Sequence, residues 1–592
     1  MSSKRAKKHT DVVAAPVVQA SSKLGTASPK WLGLLLVVAG VAVYFNSLDG
    51  VFLFDDLSNI VERERIRSLL PVGPLLAARR PVVELSLAVN YALGGLDPRG
   101  YHIGNIVIHI LAGLTLFGVV RRTLLVGRNG VKGCHAPAHG IPPVTGKEAQ
   151  QDNSTLGNRF AFTVALLWLV HPLQTESVTY LVQRAESLMG FFYLGALYCM
   201  IRGAQAPKPL VWYTAAVASC ALGMGSKGVM VTAPLIVLLY DRVFLADSVR
   251  DLVRRRWGLH AALSATWLIL WICGIASSVF NTSNAVSRVG FGFQGISPVD
   301  YLLTQPGVIL YYLRLAVWPH PLCLDYAWPV ADSAIAIAGP ALMIGLLGGA
   351  VVWAFRRAPL LGFAGACFFL ILGPTSSFIP IRDPLFEHRM YLPLAGVIVV
   401  VVALGHWALK RLTDARRLSS RTHVRIASGL VLLIAAALGT TTIRRNRDYR
   451  SQFGMWMDIA AKRPNNTRAQ VNLASELLRY PDRLDDVIAH VQRALRIDPT
   501  IAVAHENLGK ALFRQGRVGE AIESLRRAAA LSPKLAGPHF GLAVALDTAG
   551  RLSEAVESYR TVLRLQPDHP DVQRALARAL ARQQQSKNTK GF

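Results

Sequence analysis

The chain is long, apolar and strongly basic, and these properties bound its class. Its 592 residues suffice for more than one domain, and 52% hydrophobic residues favour a membrane protein over an ordinary soluble one. A formal net charge of +28 would suit nucleic acid. No nucleic-acid-binding motif is found, however, and the positive-inside rule explains an excess of Lys and Arg in a membrane protein. The six cysteines form no disulfide pattern.

Apolar runs recur through the first 445 residues. A basic cytoplasmic tail, residues 1–30, precedes a run that begins at Trp31 and is predicted to be an uncleaved first span. We predict about eleven spans, several of them short for a hydrocarbon core of ~30 Å. They lie near residues 31–45, 103–120, 159–171, 188–202, 210–225, 228–246, 258–280, 334–355, 359–374, 391–409 and 426–443.

A twelfth run, Leu302–Trp318, is predicted to be interfacial or re-entrant. A full crossing would place two basic clusters, Arg356-Arg357 and Lys410–Arg425, outside the cell, against the positive-inside rule. Eleven crossings put everything after about residue 444 on the outer face. Four arginines between residues 444 and 450 oppose this orientation, but Lys410–Arg425 is the heavier cluster.

Repeats follow the last span. Asp498-Pro499, Ser532-Pro533 and Gln566-Pro567 end three helical patterns, and their prolines are 34 residues apart, the period of the tetratricopeptide repeat (TPR). We predict a linker at 446–465, then three TPRs and a capping helix at 466–585. The fold class is therefore all-α, a polytopic membrane helix bundle at 31–445 followed by a TPR solenoid.

A TPR groove binds peptides or protein surfaces, and two asparagines are candidates to line it. Asn472 and Asn507 occupy equivalent places on the first helices of two units. Because a carboxamide both donates and accepts hydrogen bonds, the pair could hold the extended backbone of an acceptor chain. An ordinary solvated helix face is the alternative, and the third unit has Gly541 at this place.

An acidic pair, Asp55-Asp56, lies just beyond the first span. Apolar neighbours raise the pKa of a carboxyl group, so one of the pair could act as a general base. A helix N-cap or simple loop solvation is the alternative. The pair could also bind a divalent cation, although two carboxylates alone do not make a metal site, and no other spacing of donors predicts one.

Basic side chains gather in the other outer loops and suit a lipid phosphate, since Arg offers a bidentate fork and Lys a point charge. The candidates are Arg184, Lys227, His388 and Arg389, with His171, Glu176, Glu186 and Glu387 expected to support them. For any single cluster, the alternative is a structural role, in which opposite charges pair and hold the loops together.

These residues resemble the transmembrane-and-TPR protein O-mannosyltransferases and their bacterial relatives, members of the C-type glycosyltransferase superfamily. The resemblance covers nearly the whole chain from residue 31. The matching pieces are Phe54-Asp55-Asp56 with Asn59-Ile60, His171-Pro172, Thr175-Glu176, Arg184-Ala185-Glu186, Trp318-Pro319 with Leu322–Tyr326, Glu387–Pro393, and the TPRs after the last span.

The resemblance implies transfer of a sugar from a polyprenyl-phosphate donor to a protein Ser or Thr hydroxyl, with inversion of configuration. Asp55 or Asp56 would be the base, the basic residues would stabilise the departing phosphate, and the TPRs would recruit the acceptor or a partner. The apparent Arg and Ala bias suggests a bacterial protein. With the topology predicted above, it would lie in the inner membrane with a cytoplasmic N-terminus and periplasmic TPRs.

Two other classes remain as alternatives. A non-catalytic TPR scaffold of an envelope complex needs only one or two spans and leaves the convergent polar residues unexplained. A transporter would need ionisable residues near mid-membrane, whereas most charges here lie in loops.

Overall fold

The computed structural model describes residues 29–129, 147–281, 289–293 and 295–590, and within these ranges the chain is almost entirely helical. An isolated antiparallel bridge joins Val289 and Ile381. The predicted tail, residues 1–30, lies almost wholly outside the described residues. The predicted all-α class, a membrane helix bundle followed by a TPR solenoid, is confirmed.

In the described part of the chain up to Asn446, seventeen α-helices are found. They are α1 (Pro29–Tyr44), α2 (Gly73–Leu76), α3 (Pro81–Gly94), α4 (Pro98–Asn129), α5 (Lys147–Leu169), α6 (Thr175–Val178), α7 (Arg184–Gln205), α8 (Pro209–Met224), α9 (Ala233–Tyr240), α10 (Val249–Ala265), α11 (Trp267–Ile272), α12 (Ile275–Phe280), α13 (Pro298–Val317), α14 (Ala334–Arg357), α15 (Pro359–Leu372), α16 (Pro393–Ala415) and α17 (Ser420–Asn446).

The predicted apolar runs coincide with these helices, except that the run at 228–246 is α9 flanked by the 3-10 helix Gly228–Thr232 and the π-helix Asp241–Leu245. By length and composition, seven helices of the described ranges can span a membrane, and α5 with α6 makes an eighth as a pair bent by 53°. α8 and α15 are apolar but shorter. The run at 258–280 is divided among α10, α11 and α12, where Gly274 breaks the helix with a φ of 70°. The chain is an integral membrane protein, and the count of eleven crossings stays a prediction.

The helices pack as one bundle. α4 contacts α1, α5 and α7, while α15 lies between α14 and α16, and α16 in turn reaches α5. A Cβ atom at Gly396 would lie 2.4 Å from the main-chain oxygen of Ala364. Only glycine therefore allows α15 and α16 to approach this closely, as small residues do at helix contacts in membranes.

Eight helices follow in the described part after Asn446. They are α18 (Gln452–Lys462), α19 (Thr467–Leu477), α20 (Leu484–Ile497), α21 (Ala502–Arg514), α22 (Val518–Leu531), α23 (Ala536–Thr548), α24 (Leu552–Leu565) and α25 (Pro570–Lys590). The pairs α19–α20, α21–α22 and α23–α24 form three hairpins, and α25 packs on α24.

The predicted linker, 446–465, contains the amphipathic helix α18. Its buried Met455, Trp456 and Ile459 join the core of the bundle and first hairpin, because an apolar helical face must be covered. The first helices of successive hairpins contact one another more closely than the second helices do. The solenoid is therefore curved, with α19, α21 and α23 on its concave side.

Candidate active site

Asp56 is a buried anchor of the loop after α1. Its side chain is 1% exposed, and its two oxygens accept the main-chain N–H groups of Leu53 (3.0 Å) and Val182 (2.7 Å). Burial raises the pKa of Asp56 to about 7. Asp56 thus ties this loop to the turn before α7, and its oxygens are already engaged by the protein.

Asp55 occupies a different environment. It is only half-buried, and its main-chain N–H donates to the hydroxyl of Tyr180 (3.0 Å). The preceding Phe54 has a φ of 43°, a left-handed conformation that a bulky residue rarely adopts. The two neighbouring carboxylates therefore lie in different environments, and Asp55 is the more accessible of the pair.

Lys227 lies in a buried ion pair with Glu186, which the first turn of α7 presents. The lysine side chain is 14% exposed. Burial lowers the pKa of Lys227, and the Glu186 carboxylate opposes that shift. The structure therefore brings together two residues that the sequence analysis assigned to one site from separate loops.

Arg80 is a further basic residue of this site that the sequence analysis did not select. The Val82 N–H donates to the Gly225 carbonyl (3.3 Å), which holds the segment before α3 against the loop of Lys227. Arg80 is solvent-exposed, yet the protein around it lowers its pKa, while Glu186 opposes the shift. Arg80 therefore shares the electrostatic environment of Glu186 and Lys227.

His388 lies on the short 3-10 helix Glu387–Met390, where Glu176 holds it from two directions. One Glu176 oxygen is 2.6 Å from His388 Nδ1, and the other accepts the His388 main-chain N–H at 2.9 Å. Burial, with the positive charges of Lys227 and Arg389, lowers the pKa of His388. Both Glu176 oxygens are engaged on one side of His388, and its Nε2 stays outside this pair.

Arg389 organises the loop before α16. Its Nη1 donates to the Pro384 carbonyl (2.6 Å) and its Nη2 to the Asp383 carbonyl (2.7 Å). Because main-chain oxygens carry no net charge, the guanidinium keeps its positive field toward the neighbouring residues. We call Arg80, Lys227, His388 and Arg389 the basic cluster.

Two predicted site residues have other partners. Arg184 is 1% exposed, and its donors reach Asn105 (2.6 Å), Asn90 (2.5 Å) and the carbonyls of Ser86 and Tyr101. With its hydrogen bonds satisfied by α3 and α4, Arg184 braces the first loop, contrary to the predicted phosphate contact. His171 likewise accepts from the Leu173 N–H and lies 3.1 Å from the Ala316 carbonyl, so it acts as a cap and a helix contact.

Glu387 faces away from the basic cluster, toward the loop after α13. It accepts the Cys323 N–H (2.5 Å) and the Tyr326 hydroxyl (2.7 Å), and Arg445 approaches to 3.9 Å. Burial raises the pKa of Glu387. This residue supports the site by fixing the segment that carries Asp325.

A second group of charges lies beside the basic cluster. Arg468, from α19, pairs with Asp325 through Nη1 and with Asp383 through Nη2, both at 2.9 Å. Asp383 joins the two groups, since its main-chain carbonyl accepts from Arg389. Asp55 adds to the field at Arg468, so we call Asp55, Asp325 and Asp383 the acidic cluster. Sequence reasoning missed Asp325, Asp383 and Arg468, which come together only in the folded chain.

The predicted acceptor-binding asparagines differ in exposure. Asn507 is buried, and its amide donates to Ser475 Oγ (2.7 Å) and to the Val471 carbonyl (3.3 Å). It therefore joins α21 to α19 and is not open to a peptide, which corrects the prediction for this residue. Asn472 is half-buried.

The acidic pair fits a divalent cation poorly, because both oxygens of Asp56 accept main-chain N–H groups. Across the described ranges, no group of three or more His, Cys, Asp or Glu side chains is arranged to hold a metal ion.

Comparison with known proteins covers both parts of the chain. Tetratricopeptide-repeat models match residues 460–536 and 512–579. The chain is 22% identical to Protein O-mannosyl-transferase TMTC3 of Homo sapiens over 530 residues, 82% of this chain and 53% of the human protein. It is 24% identical to Tmtc3 of Drosophila melanogaster over 555 residues, 82% of this chain and 57% of the fly protein.

The predicted resemblance to the transmembrane-and-TPR O-mannosyltransferases is thereby confirmed, and the chain spans about half the length of the curated relatives it matches. A solved structure of ArnT from Cupriavidus metallidurans bound to undecaprenyl phosphate covers 90% of this chain and 80% of its own, at 16% identity and a TM-score of 0.35.

Proposed function

We propose that the chain is an inverting membrane glycosyltransferase that moves a sugar from a polyprenyl-phosphate donor to a protein Ser or Thr hydroxyl. The observation that carries this proposal is the meeting of the acidic and basic clusters at Asp383, whose carboxylate and carbonyl contact Arg468 and Arg389. A base beside a phosphate-binding group is what sugar transfer from a lipid phosphate requires. The names of the curated relatives point to the same reaction class.

In the proposed reaction, Asp55 is the general base, because it is the accessible member of the acidic pair. Its carboxylate takes the proton of the acceptor hydroxyl as that oxygen attacks the anomeric carbon. The bond between this carbon and the phosphate oxygen breaks, and polyprenyl phosphate leaves with the electron pair. Asp56 holds the loop in place from the buried side.

The departing phosphate would meet Arg80, Lys227 and His388. Arg80 is exposed, and Lys227 can exchange Glu186 for a phosphate oxygen. His388 can take up a proton when an anion approaches, because its low pKa reflects burial and positive neighbours. Such electrostatic stabilisation is usually the largest single contribution to catalysis.

For the cellular setting, we propose a bacterial inner membrane with the TPRs on the outer side. In support, loops that the predicted topology places outside also contact the start of the solenoid, as Asp325 and Asp383 contact Arg468. The concave side of α19, α21 and α23 would receive the acceptor chain.

The test is transfer of radiolabelled sugar from a panel of polyprenyl-phosphate sugars to envelope proteins, with the purified full chain in liposomes. We expect transfer by the wild type and at least a hundred-fold loss in Asp55→Asn, a loss typical of removing a general base. Asp49→Asn is the matched control, because Asp49 is an exposed carboxylate of the same loop. If wild type and Asp55→Asn behave alike across the panel, the catalytic proposal fails and a scaffold role replaces it.

A further inference from the structure

The solenoid is docked firmly on the outer loops through its first helices. The Asn466 amide donates to the Asp325 carbonyl (3.1 Å), and Lys462 Nζ to the Leu322 carbonyl (2.8 Å). The Trp456 ring of α18 packs edge-on against Phe54, with ring centres 5.2 Å apart. The helix that leads into the repeats therefore touches the residue that immediately precedes the proposed base.

Arg468 is the point at which this docking enters the site. Its side chain is 25% exposed and bridges Asp325, which follows α13, and Asp383, which follows α15. Both ion pairs have good geometry, because a guanidinium offers two parallel donor directions. A residue of the repeat domain therefore links two loops of the membrane domain.

The charge balance of the acidic cluster depends on this arginine. Carboxylates that share a site disfavour one another's ionised form, whereas a nearby cation favours it. Burial alone would lower the pKa of Arg468, but the carboxylates of Asp325, Asp383 and Asp55 together raise it. The guanidinium thus stays charged and provides a fixed positive charge beside the proposed base.

We propose that Arg468 is a positioning residue supplied by the first TPR, which keeps Asp55 ionised and oriented for proton transfer by bridging Asp325 and Asp383. The catalytic consequence rests on the proposed function, in which Asp55 is the base. Arg468 lies in the first turn of α19, so the concave side of the solenoid begins beside it. A hydroxyl of a chain bound in the groove would reach Asp55 at this point, so the repeats would contribute to the chemistry as well as to recruitment.

Several charged and titratable groups face Asp55. Asp56 is its neighbour in the same loop, and the hydroxyl of Tyr180 accepts its main-chain N–H. Arg468 approaches from α19 and brings Asp325 and Asp383 with it. Of these groups Arg468 supplies the positive charge, so its removal makes the electrostatic field at Asp55 more negative.

The first measurement is independent of enzymatic activity. A carbodiimide labels protonated carboxyl groups, so the pH profile of Asp55 labelling, followed by mass spectrometry in the full chain, reports its protonation. In Arg468→Gln we expect the profile to move upward by roughly one pH unit. Arg463→Gln is the matched control. Arg463 lies at the same interface, where it contacts the Tyr311 hydroxyl and the ring of Tyr326, and it takes part in none of the ion pairs of the described residues.

The second measurement is transfer kinetics. Arg468→Gln should lower kcat at least ten-fold and leave the donor KM unchanged. The acidic limb of its pH–kcat profile should move upward by roughly one pH unit, like the labelling profile. Arg468→Lys should restore part of kcat. A change shared equally with Arg463→Gln would indicate loss of docking alone and overturn the proposal.

The two measurements separate the two proposals. An unshifted labelling profile in Arg468→Gln overturns the role of Arg468, whatever the activity. If the labelling profile shifts in Arg468→Gln but the wild type transfers no sugar, the electrostatic role of Arg468 is supported and the proposed function is refuted.

Discussion

Removing the Glu186 charge should strengthen binding of the lipid phosphate. Glu186 neutralises Lys227 in the free protein, and its side chain is 3% exposed. The Glu186 carboxylate also compensates part of the positive charge of Arg80, on which it acts electrostatically. A phosphate that binds Lys227 must therefore either displace this carboxylate or bind beside it, and both cost free energy. Glu186→Gln removes that cost and keeps the size of the side chain.

The magnitude follows from the geometry of the ion pair. A phosphate oxygen bound to the same Nζ as Glu186 would lie roughly 5 Å from the carboxylate, where two unit charges repel by about 3 kcal/mol at an effective dielectric constant near 20. Part of this gain is lost because an unpaired Lys227 releases its proton more readily. We therefore expect polyprenyl phosphate to bind about ten- to a hundred-fold more tightly, since each 1.4 kcal/mol is a factor of about ten.

Thermal unfolding of the detergent-solubilised full chain is the assay. Without ligand, Glu186→Gln should melt below the wild type, because a buried lysine has lost its partner. With polyprenyl phosphate its melting temperature should rise more than that of the wild type, and polyprenol without phosphate should not reproduce the difference. Glu64→Gln, at an exposed carboxylate of the first loop, should behave as the wild type. Equal or weaker binding by Glu186→Gln would refute the assignment of Lys227 to the phosphate.

Three further predictions test other parts of the site. Burial raises the pKa of Asp56 from 3.8 to about 7, so the folded state holds the proton more tightly and loses stability as pH rises through this window. The melting temperature of the wild type should therefore fall relative to Asp56→Asn between pH 4 and 7, and parallel curves would contradict this reasoning. Asn507→Ala should destabilise the chain by about 1–3 kcal/mol through loss of its bonds to α19, whereas the half-buried Asn472→Ala should have little effect on unfolding. Adding Asp383→Asn to Arg468→Gln should return the Asp55 labelling profile toward that of the wild type, and a further rise would argue against electrostatic coupling.

Much of the fold could be predicted because local sequence carries it. Apolar length alone located the membrane helices, and prolines at a fixed period located the hairpins. Within the second hairpin, Gly509 lies against α22, where a Cβ would lie 2.5 Å from Leu525 Cγ. Such features depend on neighbours a few residues away, and sequence displays those neighbours directly.

The site was harder to predict because its partners are distant in sequence. Arg184 has the charge expected of a phosphate ligand, but its actual partners lie in α3 and α4. Arg80 is one of a basic pair ahead of Pro81, and only the contact of Val82 with Gly225 shows which loop it faces. Arg468 matches no expected feature of the repeat, and its role depends on how α19 docks.

The distribution of hydrogen bonds explains how the site could favour the transition state over the bound donor. Arg389 binds main-chain carbonyls, which leave its charge uncompensated, whereas Lys227 is neutralised by Glu186 until a phosphate displaces this carboxylate. A donor phosphodiester carries one negative charge, whereas the departing phosphate gains a second as its bond to the sugar breaks. A site that releases Lys227 from Glu186 only as this charge develops binds the transition state more tightly than the donor, which is the condition for catalysis.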